Sequence, residues 1–185
     1  MDNKEELTGN YILGLDISTS VVGLAILDED KNLKTYNAIK FKATTGLEER
    51  ADFLTRGIQL LDSAWRIKHV FVEQPFIAFS GGKTTAVTMS KLQRFNGMCC
   101  YGLYSVFGDS PTLIQANKAR GLVGIKIPRG EKAKPIVLKW VEENYKKDFT
   151  YEMTRYGNPK PTTYDMADAV VVARAGIELL NQESS

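Results

Sequence analysis

Two apolar runs open the chain, and a short stretch with turn chemistry separates them. In "YILGLDISTSVVGLAIL" the runs are Tyr11–Leu15 and Val21–Leu27. Short runs rich in Val, Ile and Leu predict buried β-strands. The next segment, "LDEDKNLKTYNAIKF", predicts a turn at residues 28–32 followed by a third strand. The pattern therefore predicts an antiparallel meander of three strands.

Helical spacing of apolar residues alternates with short apolar runs in the rest of the chain. "HVFVEQP" and "PTLIQAN" predict two further strands, and the polar-aromatic segment "YKKDFTYEMTRYGNPKPTTY" predicts a loop. The predicted helices are Glu48–Ile67, Thr85–Val106, Glu131–Asn144 and Asp165–Leu180. This order predicts an α/β fold with a mixed five-stranded sheet flanked by helices on both faces, as in ribonuclease H-like folds.

Composition is ordinary for a soluble globular protein. The 185 residues are 43% apolar and 25% charged, which predicts a single domain over residues 1–185. No uncharged apolar run reaches the length of a membrane span, and the acidic N-terminus is unlike a secretory signal. Two adjacent cysteines form no disulfide framework, so we expect a cytoplasmic protein.

Charge is distributed unevenly although the formal net charge is only +2. Basic residues outnumber acidic ones between Lys118 and Lys147. Such an excess is typical of a phosphate-binding surface, and equally of a solvated face with scattered lysines.

Four carboxylates interrupt apolar patterns. Asp16 follows the first strand core, Glu73 ends the strand in "VFVEQP", and Asp165 and Asp168 lie in "YDMADAVVVARAG". Each has a simpler explanation: Asp16 as a turn residue, Glu73 as a solvent-facing strand end, and Asp165 as a helix cap. Together they favour an active site, because three separate apolar segments each carry an acid.

A divalent cation would offset the repulsion among these acids. Asp165 and Asp168, three residues apart, share one helical face, where like charges destabilise a helix. Mg²⁺ prefers oxygen ligands, and two such ions about 4 Å apart can hydrolyse a phosphodiester. Zinc is not favoured, because His69 is the only histidine and the chain has no CxxC pair.

Four segments resemble, in order, the sequence blocks of RuvC-type Holliday junction resolvases, which belong to the ribonuclease H-like superfamily. They are "ILGLDISTSVVGLAIL", "VFVEQPF", "LVGIKIPRGEKAKPIV" and "YDMADAVVVARAG". The resemblance spans roughly residues 11–177. It implies that Asp16, Glu73, Asp165 and Asp168 are catalytic residues that bind two Mg²⁺ or Mn²⁺ ions per active site.

The resemblance also implies an activity. Members of the family are homodimers that bind four-way DNA junctions and cut two strands symmetrically, leaving 5′-phosphate and 3′-hydroxyl ends. Asp16 and Asp168 would hold the ion that orients the attacking water, and Glu73 and Asp165 would complete the second ion's coordination. Divergence between the blocks resembles bacteriophage members, which implies action on Y-junctions and other branches in the host cytoplasm, during DNA recombination and repair.

Five residues are candidates for DNA contact. Phe76 holds the place of an aromatic residue that wedges against bases at the crossover, with core packing as its alternative. Lys132 matches a basic residue of the family that holds the phosphate, so it is also a candidate catalytic residue. Lys118 matches another approximately, and Arg129 and Lys134 are candidates for backbone contact.

Other interpretations stay open at this point. The helix 85–106 is a candidate for the dimer interface or for core packing. The long segment before the last block is a candidate for a DNA-contacting loop or a dimer element. "GLDISTS" also resembles the first phosphate loop of actin-like sugar kinases and ATPases, although 185 residues are too few for their two domains. A non-catalytic branched-DNA-binding module, or a ribonuclease H-like nuclease acting on RNA or linear duplex, are further alternatives.

Overall fold

A mixed sheet forms the centre of the protein in the computed structural model, which describes residues 9–75 and 86–183. The strands lie in the order β3-β2-β1-β4-β5. They are β1 (Tyr11–Ile17), β2 (Val21–Asp28), β3 (Leu33–Lys40), β4 (Ile67–Glu73) and β5 (Thr112–Ile114). The first three strands form the antiparallel meander, while β4 is parallel to both β1 and β5. The five strands and the mixed sheet are confirmed.

Within the described residues, five helices connect and cover the strands. They are α1 (Leu47–Trp65), α2 (Ala86–Phe107), α3 (Ala116–Leu122), α4 (Ala133–Asn144) and α5 (Pro161–Glu183). In the two described ranges, no helix is both long and apolar enough to cross a membrane.

Two details of the helices differ from the sequence prediction. Helix α3 was not predicted, and α5 begins at Pro161 rather than at Asp165. Proline favours the first helical position, because its fixed φ suits the helix and its missing N–H has no partner there anyway. Asp165 consequently lies in the second turn of α5, so its interpretation as a helix cap is wrong.

Alternation along β1 divides the core into two clusters, one on each face of the sheet. Leu13 and Leu15 pack with α1 and α2, whereas Ile12 packs with α3, α4 and α5. Helices therefore cover both faces, as predicted. Gly14 and Asp16 share the face of Ile12, because successive side chains of a strand alternate between faces. Asp16 therefore lies on the face that α5 covers.

Glycines let α5 lie against the backbone of the sheet. A Cβ at Gly14 would lie 2.4 Å from the carbonyl oxygen of Ala169, and one at Gly23 would lie 2.0 Å from the carbonyl oxygen of Asp165. Gly23 is the cross-strand partner of Asp16. The missing side chain at residue 23 thus allows the start of α5 to approach Asp16.

Helix α2 contributes residues to both the core and the surface of the protein. Of its residues proposed for an interface, Met89 and Phe95 are buried in the core and Tyr101 is 73% exposed. Leu92 and Met98 are half-buried. The inward face of α2 therefore packs on α1 and the sheet, and its outward face carries Tyr101.

Candidate active site

Two carboxylates lie at the same edge of the sheet, at the ends of neighbouring parallel strands. Leu15 of β1 pairs with Val72 of β4, and Asp16 and Glu73 are the next residues of these strands. Glu73 shares a strand face with Phe71, which packs in the cluster beneath α5. Both carboxylates therefore lie at the carboxyl edge and on the face that α5 covers.

Helix α5 brings the other two carboxylates to this edge. The backbone of Asp165 lies against Gly23. Asp168, one turn further along, lines a cavity of about 180 Å³ together with Glu73, Arg120 and Lys134. Both aspartates are half-buried, although the neighbouring positions 167 and 169 are wholly buried. The helix thus presents its two acids where it crosses the ends of β1 and β4.

Burial and mutual repulsion raise the pKa values of three of the four carboxyl groups. Burial is the largest cause for Asp16, whose pKa lies well above its usual value, and the charges of Glu73, Asp168 and Asp165 raise it further. Burial, with the charge of Asp168, raises the pKa of Glu73 to about 7. The pKa of Asp168 is raised to about 6, again mainly by burial. Asp16 therefore lies within the range of the charges of the other three acids.

Lys134 provides positive charge beside these acids. Its ammonium donates a 3.1 Å hydrogen bond to Oδ1 of Asp165. Burial alone would lower the pKa of Lys134, but Asp165, Asp168 and Asp16 outweigh that effect and raise it. Lys134 is thus held at the carboxylates although its side chain is 56% exposed.

Arg120 is a second cation at the site, and sequence reasoning missed it. It lies on α3, which follows β5 directly, and its charge lowers the pKa of both Glu73 and Asp168. Its Nε donates to the carbonyl oxygen of Ala116. A second cavity of about 630 Å³ is lined by Arg120, Glu73 and residues that follow the two strands, namely Gln74, Pro75, Gln115, Ala116 and Asn117. Arg120 therefore stands between the two cavities.

A buried arginine fixes the turn that follows Asp16. Arg50 of α1 is only 4% exposed and donates hydrogen bonds to the carbonyl oxygens of Thr19, Lys42 and Ala43. Its guanidinium also lies 5.8 Å from the centre of the Phe41 ring. The β1–β2 turn is thereby tied to the segment between β3 and α1, which limits movement of the backbone next to Asp16.

The other candidate DNA contacts lie around the site. Lys132 is exposed at the residue before α4, and Lys118 is exposed on α3. Arg129 is exposed in the segment between these helices. Phe76 lies outside the described residues. The structure thus brings Lys134 and Arg120 to the cavity that Glu73 and Asp168 line.

The donor set matches the chemistry of a hard divalent cation. Four carboxylates supply the oxygen ligands that Mg²⁺ and Mn²⁺ prefer, and burial and mutual repulsion raise the pKa values of three of them. Within residues 9–75 and 86–183, however, no three acidic, His or Cys side chains form a ready-made metal-binding group. In this arrangement the ammonium of Lys134 supplies the positive charge at Asp165.

Solved structures share this fold along nearly the whole chain. RuvC of Thermus thermophilus, in a complex with a Holliday junction substrate, is 14% identical with a TM-score of 0.65, over 94% of this chain and 96% of that one. A further Thermus thermophilus RuvC structure is 16% identical, with a TM-score of 0.64 over the same shares. The yeast mitochondrial Holliday junction resolvase Ydc2 is 13% identical with a TM-score of 0.61, over 95% of this chain and 81% of that one.

No protein-family model matches the sequence, and no curated protein sequence matches it either. The strand order and the match to RuvC show that the chain has a ribonuclease H-like fold. Its structure matches RuvC over 94% of the chain and Ydc2 over 95%. The resemblance to RuvC-type resolvases is therefore confirmed at the level of the fold.

Proposed function

We propose that this protein is a metal-dependent endonuclease that resolves four-way DNA junctions and also cuts other branched DNA. One observation carries the proposal: α5 brings Asp168 and Asp165 to Asp16 and Glu73, whose partly buried charges repel one another. Burying like charges is costly, so such a cluster is favoured where it serves chemistry. The RuvC structure that contains a Holliday junction substrate supports branched DNA as the substrate.

Asp16, Glu73, Asp165 and Asp168 are the residues that would hold two Mg²⁺ or Mn²⁺ ions. Bound there, the ions would activate a water molecule and stabilise the leaving oxygen of the phosphodiester. The chain itself half-buries Asp16 and Glu73, which lie on the face of the sheet that α5 covers.

Arg120 and Lys134 are the residues best placed to hold the scissile phosphate. Both line the cavity that contains Glu73 and Asp168. Positive groups fixed beside a phosphodiester stabilise the charge that develops during hydrolysis. Lys132, Lys118 and Arg129 would contact the DNA backbone further out, and Phe76 would stack against bases at the crossover.

A homodimer would place two such sites about one dyad, matching the symmetry of a four-way junction. The outward face of α2 offers an apolar surface, with Val87 78% and Tyr101 73% exposed. At Gly97, between them, an added Cβ would meet nothing within 4 Å. Glycine inside an exposed helix costs about 1 kcal/mol relative to alanine, so a close partner there is a reason for it.

Cleavage of a labelled synthetic four-way junction tests the proposal. We expect paired symmetric nicks with Mg²⁺ or Mn²⁺, binding without cutting in Ca²⁺, and no cutting in EDTA. Asp16→Asn should reduce cleavage to background while junction binding in Ca²⁺ is retained, because the variant loses a ligand charge and keeps the fold.

Asp52→Asn is the matched control, because Asp52 is an exposed carboxylate on α1 that pairs with Arg56. Normal turnover by Asp16→Asn would remove Asp16 from the site. Junction binding without cutting under any metal would instead identify a non-catalytic module. Faster cleavage of an RNA–DNA hybrid or a linear duplex would identify a different ribonuclease H-like nuclease.

A further inference from the structure

A short hairpin projects from the segment that precedes α5. Met153 and Pro159 form an antiparallel bridge, and Lys160 N donates to the carbonyl oxygen of Glu152 at 3.1 Å. At the tip, Thr154 N donates to the carbonyl oxygen of Asn158 at 2.7 Å. Gly157 has a φ of 75°, in the left-handed region that glycine adopts without strain. The hairpin is therefore an ordered element with its own hydrogen bonds.

The base of the hairpin is fixed to the sheet. Phe149 is 4% exposed, and its ring centre lies 4.7 Å from that of Tyr36 on β3. The Tyr36 hydroxyl donates to the carbonyl oxygen of Thr150 and accepts from the N–H of Thr150, both at 2.7 Å. These contacts hold the hairpin at a defined place beside the outer strand.

The tip of the hairpin carries Arg155 and Tyr156, which take no part in the hydrophobic core. Tyr156 is 73% exposed, and the guanidinium of Arg155 lies 4.6 Å from the centre of its ring. Arg155 also donates a hydrogen bond to the Tyr156 hydroxyl. An exposed aromatic ring with a cation against it is suited to stack a nucleobase while the guanidinium contacts a phosphate.

Strand register places the base of the hairpin beside the carboxylates. Asp16 pairs with Gly23, and Gly23 pairs with Ala38 of β3. Ala38 and Met166 of α5 line a cavity of about 330 Å³ together with Thr150, Glu152 and Lys160 of the hairpin segment. Asp16 and Ala38 are thus two strand spacings apart, which is about 10 Å, or roughly three base-pair steps of DNA.

Arg120 lies on the opposite side of the carboxylates. It follows β5, at the other edge of the sheet from β3. The carboxylates thus lie between Arg120 on the β5 side and the hairpin on the β3 side, so a DNA strand that crosses the sheet edge from Arg120 past the carboxylates would reach the hairpin. Bases close to a branch point are the ones that a protruding aromatic ring can reach, because bases inside a duplex are already stacked on both sides.

We propose that Tyr156 and Arg155 form a second branch-point contact, in which Tyr156 stacks on an unpaired base and Arg155 binds the adjoining phosphate. This inference rests on the proposed nuclease function and adds a substrate contact to it. The hairpin that carries the contact lies at the β3 edge of the sheet.

Binding of a four-way junction in Ca²⁺, measured over a range of salt concentrations, tests the inference. The junction carries 2-aminopurine next to the crossover, so that stacking is read from its fluorescence. The variants are Tyr156→Ala and Arg155→Ala. The matched control is Phe53→Ala, which removes a 61% exposed aromatic ring from α1, on the other face of the sheet.

The two variants should weaken binding in different ways. Tyr156→Ala should lower affinity about fivefold or more, with an unchanged salt slope and a changed 2-aminopurine signal. Arg155→Ala should reduce the slope of log K against log salt by about one, because one phosphate contact is lost. Phe53→Ala should match the wild type in both measurements.

Three outcomes would overturn the inference. If Tyr156→Ala gave the same junction affinity and 2-aminopurine signal as Phe53→Ala, the inference would be rejected. The nuclease proposal would then still stand, provided that the wild type binds and cuts. If Tyr156→Ala alone sedimented as a monomer, the hairpin would instead be a contact between subunits. Wild-type protein that binds no branched DNA would reject both proposals together.

Discussion

At the scale of single residues, Asp168 shows what the carboxylate cluster costs. Its pKa in the folded chain is about 6, against an ordinary value of 3.8, mainly because of burial and partly because of Asp165. The folded chain therefore binds this proton more tightly than the unfolded chain does. The stability that results is fully present below about pH 4 and is lost as the pH rises through 6.

We predict that Asp168→Asn stabilises the metal-free protein at pH 8. Asparagine keeps the shape and removes the charge, so the free energy of unfolding in EDTA should rise by on the order of 1–3 kcal/mol. The gain should vanish near pH 4, where the wild-type carboxyl is neutral. Thermal unfolding in EDTA at pH 4 and pH 8 measures both effects, and added Mg²⁺ should raise the melting temperature of the wild type more than that of the variant.

Asp52→Asn serves again as the control, and we expect it to change stability by no more than about 0.5 kcal/mol. A variant Asp168→Asn that is less stable than the wild type at pH 8 would contradict the prediction. It would mean that Arg120 and Lys134, which lower the pKa of Asp168, outweigh burial and repulsion.

The sequence indicates the acidic residues of the site more readily than the basic ones. Asp16, Glu73 and Asp168 can be singled out because each interrupts an apolar run, and apolar runs show in one sequence. Arg120 and Lys134 lie in a segment where basic residues are common, so no local contrast distinguishes them from Lys118 or Lys132. Only the packing of α3 and α4 beside α5 selects the two that reach the carboxylates.

At the scale of elements, the contact between α5 and the sheet sets the geometry of the site. We predict that Gly23→Ala destabilises the fold by about 2 kcal/mol or more and lowers cleavage. A Cβ at this position would lie 2.0 Å from the carbonyl oxygen of Asp165, and backbone cannot move aside as a flexible side chain does. Denaturant unfolding and junction cleavage measure the two effects.

Gly57→Ala is the matched control for this prediction. Gly57 lies inside α1, and a Cβ there would meet nothing within 4 Å. Alanine is the better helix former by about 1 kcal/mol, so this variant should be neutral or more stable, with normal cleavage. Gly23→Ala with wild-type stability and activity would show that α5 does not need this close approach.

The strands and the long helices could be predicted from the sequence, whereas the short helix α3 could not. β1, β2, α1 and α5 follow from sustained apolar patterns, which depend little on neighbours. Helix α3, Ala116–Leu122, is too short to show a helical period, so the pattern of "PTLIQAN" predicts strand throughout. Gly14 and Gly23 were signals of a close backbone approach, but nothing in the sequence says that α5 is the element that approaches.

At the scale of the whole molecule, the outward face of α2 is where a second subunit would bind. We predict that Tyr101→Glu converts a dimer into a monomer of 20.6 kDa, because a buried charge without a partner is costly at an interface. Nicks in a four-way junction should then no longer be paired. Sedimentation equilibrium and a cleavage assay on both junction strands measure the two effects.

Leu60→Glu is the control for the interface, since Leu60 is 74% exposed on α1. It should leave both the mass and the pairing of nicks unchanged. Dimers that persist in Tyr101→Glu would exclude this face as the interface.

The single domain over residues 1–185 stays a prediction.

The position of α5 in the chain has a consequence for biosynthesis. Asp16 lies on the first strand, whereas Asp165 and Asp168 lie on the last helix, which also covers β1 and β2. Chains emerge from the ribosome N-terminus first, so the meander is complete long before the helix that supplies half of the acids. A nascent or truncated chain therefore lacks the proposed catalytic centre, and under that proposal a cell that makes this protein would not be exposed to nuclease activity from unfinished copies.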